Sequence, residues 1–320
     1  MADKEDYISF IQDNTEVPIF FQPWWLDSVS EGFDWDVCLS RGANDNIEGV
    51  FVYQIKSRLL GFQKSIHIPI LTPYLGIWFF RPDGDLKNNS LYSFDKKTIS
   101  KLIDKIPSHL YLNISLHPQI KNTLPFHWGG YKSDIKYTYL LHLEKDIDEV
   151  YKGLKGSVRT DIKKADKLLT ISVNNDSSVF YKMNSLSFER QGMDIPYSEK
   201  CIHSIFSETS KRDLLLCLSA QDKSGNLHAQ VLIVRDKNTA YLLATGADEK
   251  YRNSGAISLL IWEAIKSSKK NVQFFDFEGG NIQAIEKVFR AFGGSLTPYI
   301  SLKHTPNKLS QAMFSLFGKM

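Results

Sequence analysis

The chain has 320 residues, 42% of them hydrophobic, and a formal net charge of +3 at pH 7. This length suits two domains with sizeable cores, and the charge is too small to argue for a nucleic-acid partner by itself. No apolar run approaches the ~18–20 residues that would cross a bilayer. The segment Met1–Asp6 is acidic, unlike a signal peptide, and the three cysteines lack metal-ligand spacing. We therefore expect a cytoplasmic protein with reduced thiols and without a metal site.

The first part of the chain mixes strands and helices. Pro23 in Phe21–Leu26 suggests the start of a helix, and Ser93–Ile106 has a helical pattern that stops before Pro107. Strand-like runs occur at Trp35–Ser40, Ile47–Ile55, Ser65–Leu71, Ile77–Phe80 and Leu110–Leu116. This pattern predicts an α/β arrangement for the N-terminal part.

The second part begins with an alternating strand, Tyr137–Leu143. Asp146 is a predicted helix cap, and apolar residues at helical spacing continue from Ile147 to Leu169. Because this spacing persists through Gly153 and Gly156, the pattern predicts one helix to about Leu168, weakened in the middle.

The following elements form an ordered series. Two helices at Ser178–Arg190 and Ser198–Lys211 precede three strands, and a helix from Ser254 to Ser268 follows them. The strands are Leu214–Ala220, Leu227–Val234 and Ala240–Thr245. Short polar links between them are typical of hairpin turns, so the strands should be antiparallel.

Two carboxylates follow this helix in the stretch Asn271–Phe277 and Glu278. In a strand, alternation places Asp276 and Glu278 on one side and Phe275 and Phe277 on the other. Gly279 and Gly280 end the strand, Asn281 can cap a helix with apolar residues up to Phe292, and Gly293–Gly294 ends it. Two carboxylates at a strand end beside a helix N-terminus predict an active site. The alternative is a strand that ends in solvent.

Further candidates are basic or imidazole side chains. Lys152, Lys155, Arg159, Lys163 and Lys167 would form a stripe on one helix, either a solvated face or a surface for a phosphate-bearing substrate. Arg190 could clamp a carboxylate or phosphate, or cover a helix end. His228 could bind substrate, or be a hydrogen-bonded structural residue.

The order of elements and the motifs Asp248–Ala256, Leu259–Ala264 and Phe275–Gly279 resemble the GNAT superfamily of N-acyltransferases. Trp24–Leu26 and Thr72–Gly76 also fit its bacterial Fem-like branch. The resemblance implies an α/β (α+β) fold of two tandem GNAT-like domains, each a mixed, mainly antiparallel sheet flanked by helices. It places these domains at residues 1–136 and 137–320, with the donor site in the second.

In GNAT enzymes a loop of the form Arg/Gln-x-x-Gly-x-Gly/Ala before a helix holds the pyrophosphate of acyl-CoA. Arg252, Gly255 and Ile257 occupy the three positions, and the branched Ile257 departs from the pattern. The resemblance implies donor contacts from the backbone at Thr245 and Gly246 and from Arg252, Asn253, Ser254, Gly255 and Ala256. A Gly255→Glu change is expected to weaken donor binding more than folding.

The resemblance implies transfer of an acyl group from acyl-CoA, such as acetyl-CoA, to an amine of a cell-envelope, glycan or peptidoglycan precursor. Glu278 or Asp276 would be the catalytic base, and Lys155, Arg159, Arg190 and His228 would bind substrate. One alternative is a Fem-type peptidyltransferase that takes an aminoacyl group from tRNA. Another is a GNAT-fold protein that binds a ligand without catalysis. DNA is not an expected partner, and the oligomeric state stays open.

Overall fold

The computed structural model describes residues 2–12, 16–58, 63–82, 84 and 87–306. The chain divides into two compact units. The first comprises Met1–Lys136 and the segment that begins at Pro298, and the second comprises Tyr137–Thr297.

The N-terminal part contains both helices and strands. The helices are α1 (Ala2–Gln12), α2 (Pro23–Val29), α3 (Asn88–Ile103) and α4 (Leu124–Trp128). The strands are β1 (Asp34–Arg41), β2 (Ile47–Arg58), β3 (Gln63–His67), β4 (Gly76–Phe79) and β5 (Tyr111–Ser115). Pro23 occupies the start of α2, as expected from its fixed φ and missing N–H.

The remaining elements follow in the order β6 (Lys132–His142), α5 (Ile147–Gly153), α6 (Gly156–Leu168), β7 (Leu169–Val173), α7 (Ser177–Glu189), α8 (Glu199–Ser210), β8 (Leu215–Asp222), β9 (Leu227–Arg235), β10 (Thr239–Ala247), α9 (Ala256–Ser268), β11 (Phe274–Asp276), α10 (Gln283–Arg290) and β12 (Ser295–His304).

In the first unit the strands lie in the order β1-β2-β3-β5-β12, and β4 also pairs with β2. The β3–β5 pair is parallel, and the other pairs are antiparallel. Phe51, Ile77, Ile114 and Leu302 are buried together in the core of this unit. The last described strand, β12, therefore contributes to the first unit.

In the second unit the strand order is β6-β11-β10-β9-β8-β7. The β10–β11 pair is parallel and its neighbours are antiparallel. Ala229, Val231 and Ile233 of β9 lie in one core with the apolar residues of α9. Gln230 points to the opposite face, because side chains alternate along a strand. Its register partner Gly246 lies against the backbone of α7 on that face.

The predicted helix from Asp146 to about Leu168 is wrong, because the chain forms two helices there. Asp146 does cap the first, with its side chain accepting from the N–H of Asp148 at 2.8 Å. Leu154 and Lys155 then have ψ values of 143° and break the helix. The N–H of Lys155 donates to Ala291 O at 2.8 Å instead of continuing the helix. Two glycines flank this break, where helix propensity is lowest.

The predicted fold class is confirmed: each unit has a mixed, mainly antiparallel sheet with helices. The pattern missed α1, α4 and β7, and the predicted strand at Asn271–Phe277 is confined to Phe274–Asp276. The segment from Pro298 lies in the first unit, whereas the sequence placed it in the second. The division into two GNAT-like domains at residues 136 and 137 stays a prediction.

Candidate functional site

The candidate site begins where β10 and β11 separate. Their parallel pairing joins Thr239–Tyr241 to Phe274–Asp276, and β10 then continues to Ala247. Phe275 and Phe277 are buried in the core of the second unit, as predicted. The main chain of β10 beyond Tyr241 thus extends past the end of its neighbour, next to the predicted carboxylates.

Asp276 is buried at this strand end, and its carboxylate accepts hydrogen bonds from other groups of the protein. Its Oδ1 accepts hydrogen bonds from Thr138 Oγ1 and from the N–H of Glu278, the latter at 2.8 Å. Thr138 lies on the adjacent strand β6 and is fully buried. A buried carboxylate that accepts two such bonds holds the turn after β11 in place.

Glu278 differs from Asp276 in backbone and in environment. It has φ +52°, a left-handed conformation that is uncommon outside glycine, and so the strand alternation that predicted its direction stops before it. Its Oε1 is buried and has no hydrogen-bond partner among the described residues. Burial, and then the charge of Asp276, raise the pKa of this carboxyl well above its ordinary value. A strained residue with an unpartnered, perturbed carboxyl is a candidate acid–base group.

Neighbouring atoms fill the space that a side chain would need at the two glycines after Glu278. A Cβ on Gly279 would lie 2.7 Å from the Phe289 ring, and one on Gly280 would lie 2.7 Å from Tyr137 O. Asn281 does not cap α10. Its side chain instead pairs with the Tyr137 backbone, accepting from N at 3.1 Å and donating to O at 3.2 Å. These contacts fix the turn that carries Glu278.

The predicted donor loop ends at Gly255, which precedes α9 with φ +81°. A Cβ there would lie 2.6 Å from Asp161 O and 3.3 Å from Ala165 Cβ of α6. The glycine is therefore required by packing of the loop on α6. A glutamate at this position would meet main-chain atoms of α6, so Gly255→Glu is expected to weaken folding as well as donor binding.

The rest of this loop is also held locally. Lys164 Nζ of α6 donates to Asn253 O at 2.7 Å, and Ala256 N donates to Ser254 Oγ at 3.3 Å. Arg252 is exposed and lies 3.8 Å from the carboxylate of Glu249. The side chains of Arg252 and Asn253 are both exposed.

Thr245 and Gly246 lie against α7. Asn184 Nδ2 donates to Thr245 O at 2.7 Å, and a Cβ on Gly246 would lie 2.6 Å from the backbone of residues 183 and 184. Between Leu242 and Ala244 the register with β9 shifts, so that Leu243 is an additional residue in β10. Such bulges redirect backbone N–H groups and are frequent beside active sites.

The helix break divides the predicted basic stripe, because Lys152 lies on α5 and the other four cations lie at α6. Lys155 is exposed at the start of α6, and Arg190 is exposed at the end of α7. Arg159 Nη1 donates to Lys152 O at 2.7 Å and to Leu154 O at 2.8 Å, so it binds the carbonyls at the end of α5. The stripe predicted on one helix is thus divided between two.

His228 lies at the start of β9 and contacts side chains from two neighbouring segments. Its ring stacks on Tyr251 at 3.9 Å between centroids, and its Nε2 lies 3.3 Å from Asp222 Oδ2. Its Nδ1 is buried without a hydrogen-bond partner among the described residues. Hydrogen bonds from Asn226, and a smaller contribution from His228, lower the pKa of Asp222 to about 2.

The structure thus brings Asp276 and Glu278 together and joins the loop Arg252–Ala256 to α6. Sequence reasoning missed Thr138, Asp222, Tyr251 and Asp161, the residues that hold these groups. Their roles come from contacts between elements, and only Asp222, in a polar hairpin turn, had a local signal.

Two further properties concern the described part of the chain. There, His, Cys, Asp and Glu side chains form no cluster of three or more suited to a metal ion. Its helices are also too short or too polar to cross a membrane.

Comparison with known proteins gives the family of the second unit. A family model for the acetyltransferase (GNAT) domain matches residues 154–284. A comparison with curated protein sequences finds no match. The GNAT match covers the separation of β10 and β11, Glu278 and the donor loop.

Solved structures match over the whole chain. FemX is similar with a TM-score of 0.73 and 12% identity, and the match covers 98% of each chain. The C-terminal domain of a protein named as a lysylphosphatidylglycerol synthetase from Agrobacterium fabrum matches with a TM-score of 0.57 and 10% identity, over 98% of this chain and 96% of that one. L-PGS from Bacillus licheniformis has a TM-score of 0.56 and 10% identity, over 99% and 98%. The chain therefore has the same overall fold as FemX, and its residues 154–284 match the acetyltransferase (GNAT) domain.

Proposed function

We propose that this protein transfers an aminoacyl group from tRNA to an amine of a cell-envelope precursor. The observation that carries the proposal is Glu278, a carboxyl with a buried, unpartnered oxygen and a raised pKa at the strand end. A carboxylate whose pKa is raised is a stronger base than an ordinary carboxylate, which suits it to accept a proton from an amine. Asp276, engaged by Thr138 and by the turn, supports Glu278 and is not itself the base.

In the proposed reaction, Glu278 removes a proton from the acceptor ammonium, and the free amine attacks the ester carbonyl of the donor. Backbone N–H groups of β10 beyond Tyr241 stabilise the oxyanion. The attacking nitrogen releases its second proton to solvent, the tetrahedral intermediate collapses, the ester C–O bond breaks, and protonated Glu278 returns its proton to the leaving ribose oxygen. The products are an amide and free tRNA.

Two observations favour an aminoacyl donor over acyl-CoA. Gly255, where a pyrophosphate would approach, packs against a carbonyl oxygen of α6, whose partial negative charge opposes an anion. Similar structures that span the chain include FemX and a protein named as a lysylphosphatidylglycerol synthetase. Exposed cations on α5 and α6, such as Lys152 and Lys163, would contact the tRNA backbone.

A second candidate is transfer from acyl-CoA, which was the first expectation from the sequence. The observation that favours it is the match of residues 154–284 to an acetyltransferase domain. In this reaction the same carboxyl acts as the base and a thiolate is the leaving group.

A single-turnover assay with aminoacyl-tRNA or acetyl-CoA and a peptidoglycan-precursor amine tests the proposal. We expect product from aminoacyl-tRNA, and a loss of roughly 10²-fold in rate for Glu278→Gln with a melting temperature no lower than that of the wild-type protein. The control Asp276→Asn is expected to lower the melting temperature while its folded fraction keeps most of the rate. Product formed from acetyl-CoA but not from aminoacyl-tRNA would support transfer from acyl-CoA. An unchanged rate in Glu278→Gln would show that Glu278 is not the catalytic base. Donor binding without product would indicate a non-catalytic protein.

A further inference from the structure

Two buried side chains of β9 have unpartnered polar atoms on the same face. His228 is 7% exposed and Gln230 is fully buried. Within the described residues, neither His228 Nδ1 nor Gln230 Oε1 has a hydrogen-bond partner, and both atoms are buried. Buried polar atoms are almost always hydrogen-bonded, so two such atoms at positions i and i+2 of one strand point to a missing group.

The neighbours of these residues determine what the missing group must supply. Asp222 is a carboxylate acceptor 3.3 Å from His228 Nε2, and in the neutral tautomer that donates to it from Nε2 the other ring nitrogen, Nδ1, is an acceptor. Gln230 donates through Nε2 to Ser219 Oγ at 2.7 Å, which leaves Oε1 as an acceptor. Both unpartnered atoms are therefore acceptors, and the group that satisfies them must be a hydrogen-bond donor.

The position of the pair connects it to the donor loop. Tyr251, which covers the His228 ring, belongs to the turn Glu249–Tyr251 at the start of that loop. Gln230 is the register partner of Gly246 on β10, and the N–H of Asp248 donates to His228 O at 3.1 Å. A group bound between His228 and Gln230 would thus lie one strand away from the main chain proposed to hold the acyl donor.

We propose that His228 Nδ1 and Gln230 Oε1 bind the α-ammonium group of the aminoacyl donor. This inference rests on the proposed function and names the part of the donor that is recognised. An ammonium carries three N–H donors, two of which match the two acceptors. Asp222 lies behind His228 and supplies a negative charge that compensates the buried cation through the imidazole. An acetyl group has no such donor and would leave both atoms unsatisfied.

The test compares two stable donor analogues that differ in the ammonium group. One is 3′-deoxy-3′-(alanylamino)adenosine, and the other carries a propionyl group in place of alanyl. Calorimetry is expected to show that the wild-type protein binds the alanyl compound at least ~10-fold more tightly, because only this compound donates to both acceptors.

Two variants remove one acceptor each. His228→Phe keeps a flat ring against Tyr251, and Gln230→Met keeps a side chain of similar length. Each is expected to reduce the preference for the alanyl compound to below ~3-fold with little change in affinity for the propionyl compound. The matched control is His142→Phe, whose ring packs edge-on against Phe274 of β11, and it should keep the full preference. If His228→Phe does not fold, the preference for the alanyl compound is measured in His228→Asn and Gln230→Met instead.

The outcomes separate this proposal from the proposed function. Equal wild-type affinities for the two analogues would show that the pair holds only a water molecule, with the aminoacyl donor still possible. A preference that survives in both variants would place ammonium recognition elsewhere. Failure of the wild-type protein to bind either analogue, together with binding of acetyl-CoA, would overturn the aminoacyl donor and this subsite together.

Discussion

At the scale of single residues, the two carboxylates of the strand end have different environments. The structure gives Asp276 two hydrogen-bond donors and leaves Glu278 Oε1 with none among the described residues. The protein therefore uses one carboxyl to hold the turn and leaves the other at a raised pKa. Such a division between neighbouring carboxyls is common where one of them exchanges a proton.

The raised pKa of Glu278 has a consequence for stability that can be measured. Its ordinary pKa is 4.5 and its pKa in the folded protein is well above that, so the folded state binds the proton more tightly than the unfolded state. Stability from this group is present below pH 4.5 and is lost as pH rises through the raised pKa. Because glutamine does not ionise, Glu278→Gln should gain in melting temperature relative to wild type as pH rises through this range. Calorimetric scans between pH 4 and 9 test this, and parallel curves for the two proteins would contradict it.

At the scale of elements, the helix α6 determines the shape of the donor loop. Gly255 touches the α6 backbone, and Lys164 of α6 binds Asn253 O. The Arg-x-x-Gly motif predicted the position of the loop and the start of α9. It could not predict that the glycine is needed for packing, because Asp161 is distant in sequence.

A pair of glycine variants separates this packing from backbone strain. Gly255 and Gly225 both have φ +81°, but a Cβ on Gly225 would meet nothing within 4 Å. Both alanine variants incur the cost of a left-handed alanine, about 1 kcal/mol. Gly255→Ala should lose roughly 1–3 kcal/mol more, because its Cβ overlaps a carbonyl oxygen of α6. Urea unfolding measures both values, and equal losses would show that α6 moves away freely.

At the scale of the whole molecule, the last described strand returns to the first unit. Leu302 of β12 is fully buried with Phe51 and Ile114, although it lies far from them in sequence. Strand periodicity cannot reveal such a return, because it reports which face of a strand is buried and not which sheet the strand joins.

Two leucines of the same strand test this assignment. Leu302→Ala removes a fully buried side chain and should destabilise the protein by about 2–5 kcal/mol. Leu296→Ala, at 54% exposure, should cost less than about 0.5 kcal/mol. Denaturant unfolding, followed by the fluorescence of the tryptophans in the first unit, gives both values. Similar losses of unfolding free energy in the two variants would show that Leu302 is not part of that core.

The sequence by itself determined the elements with strong periodicity. It predicted the three antiparallel strands β8, β9 and β10, the helices α7, α8 and α9, and the strand end that carries Asp276 and Glu278. These features follow from local spacing, from turn residues and from glycines that stop strands and helices. The resemblance to the GNAT superfamily added the fold of both units.

Tertiary contacts decided the rest. The break between α5 and α6, the pairing of Asn281 with Tyr137, the engagement of Asp276 by Thr138 and the packing of Gly255 on α6 all join residues from different elements. Each contact depends on a donor, acceptor or main-chain atom from another part of the chain, and the spacing of residues within one element does not predict it. The chemical difference between Asp276 and Glu278 has the same origin, since burial and hydrogen-bond partners, not residue type, set the pKa of a carboxyl.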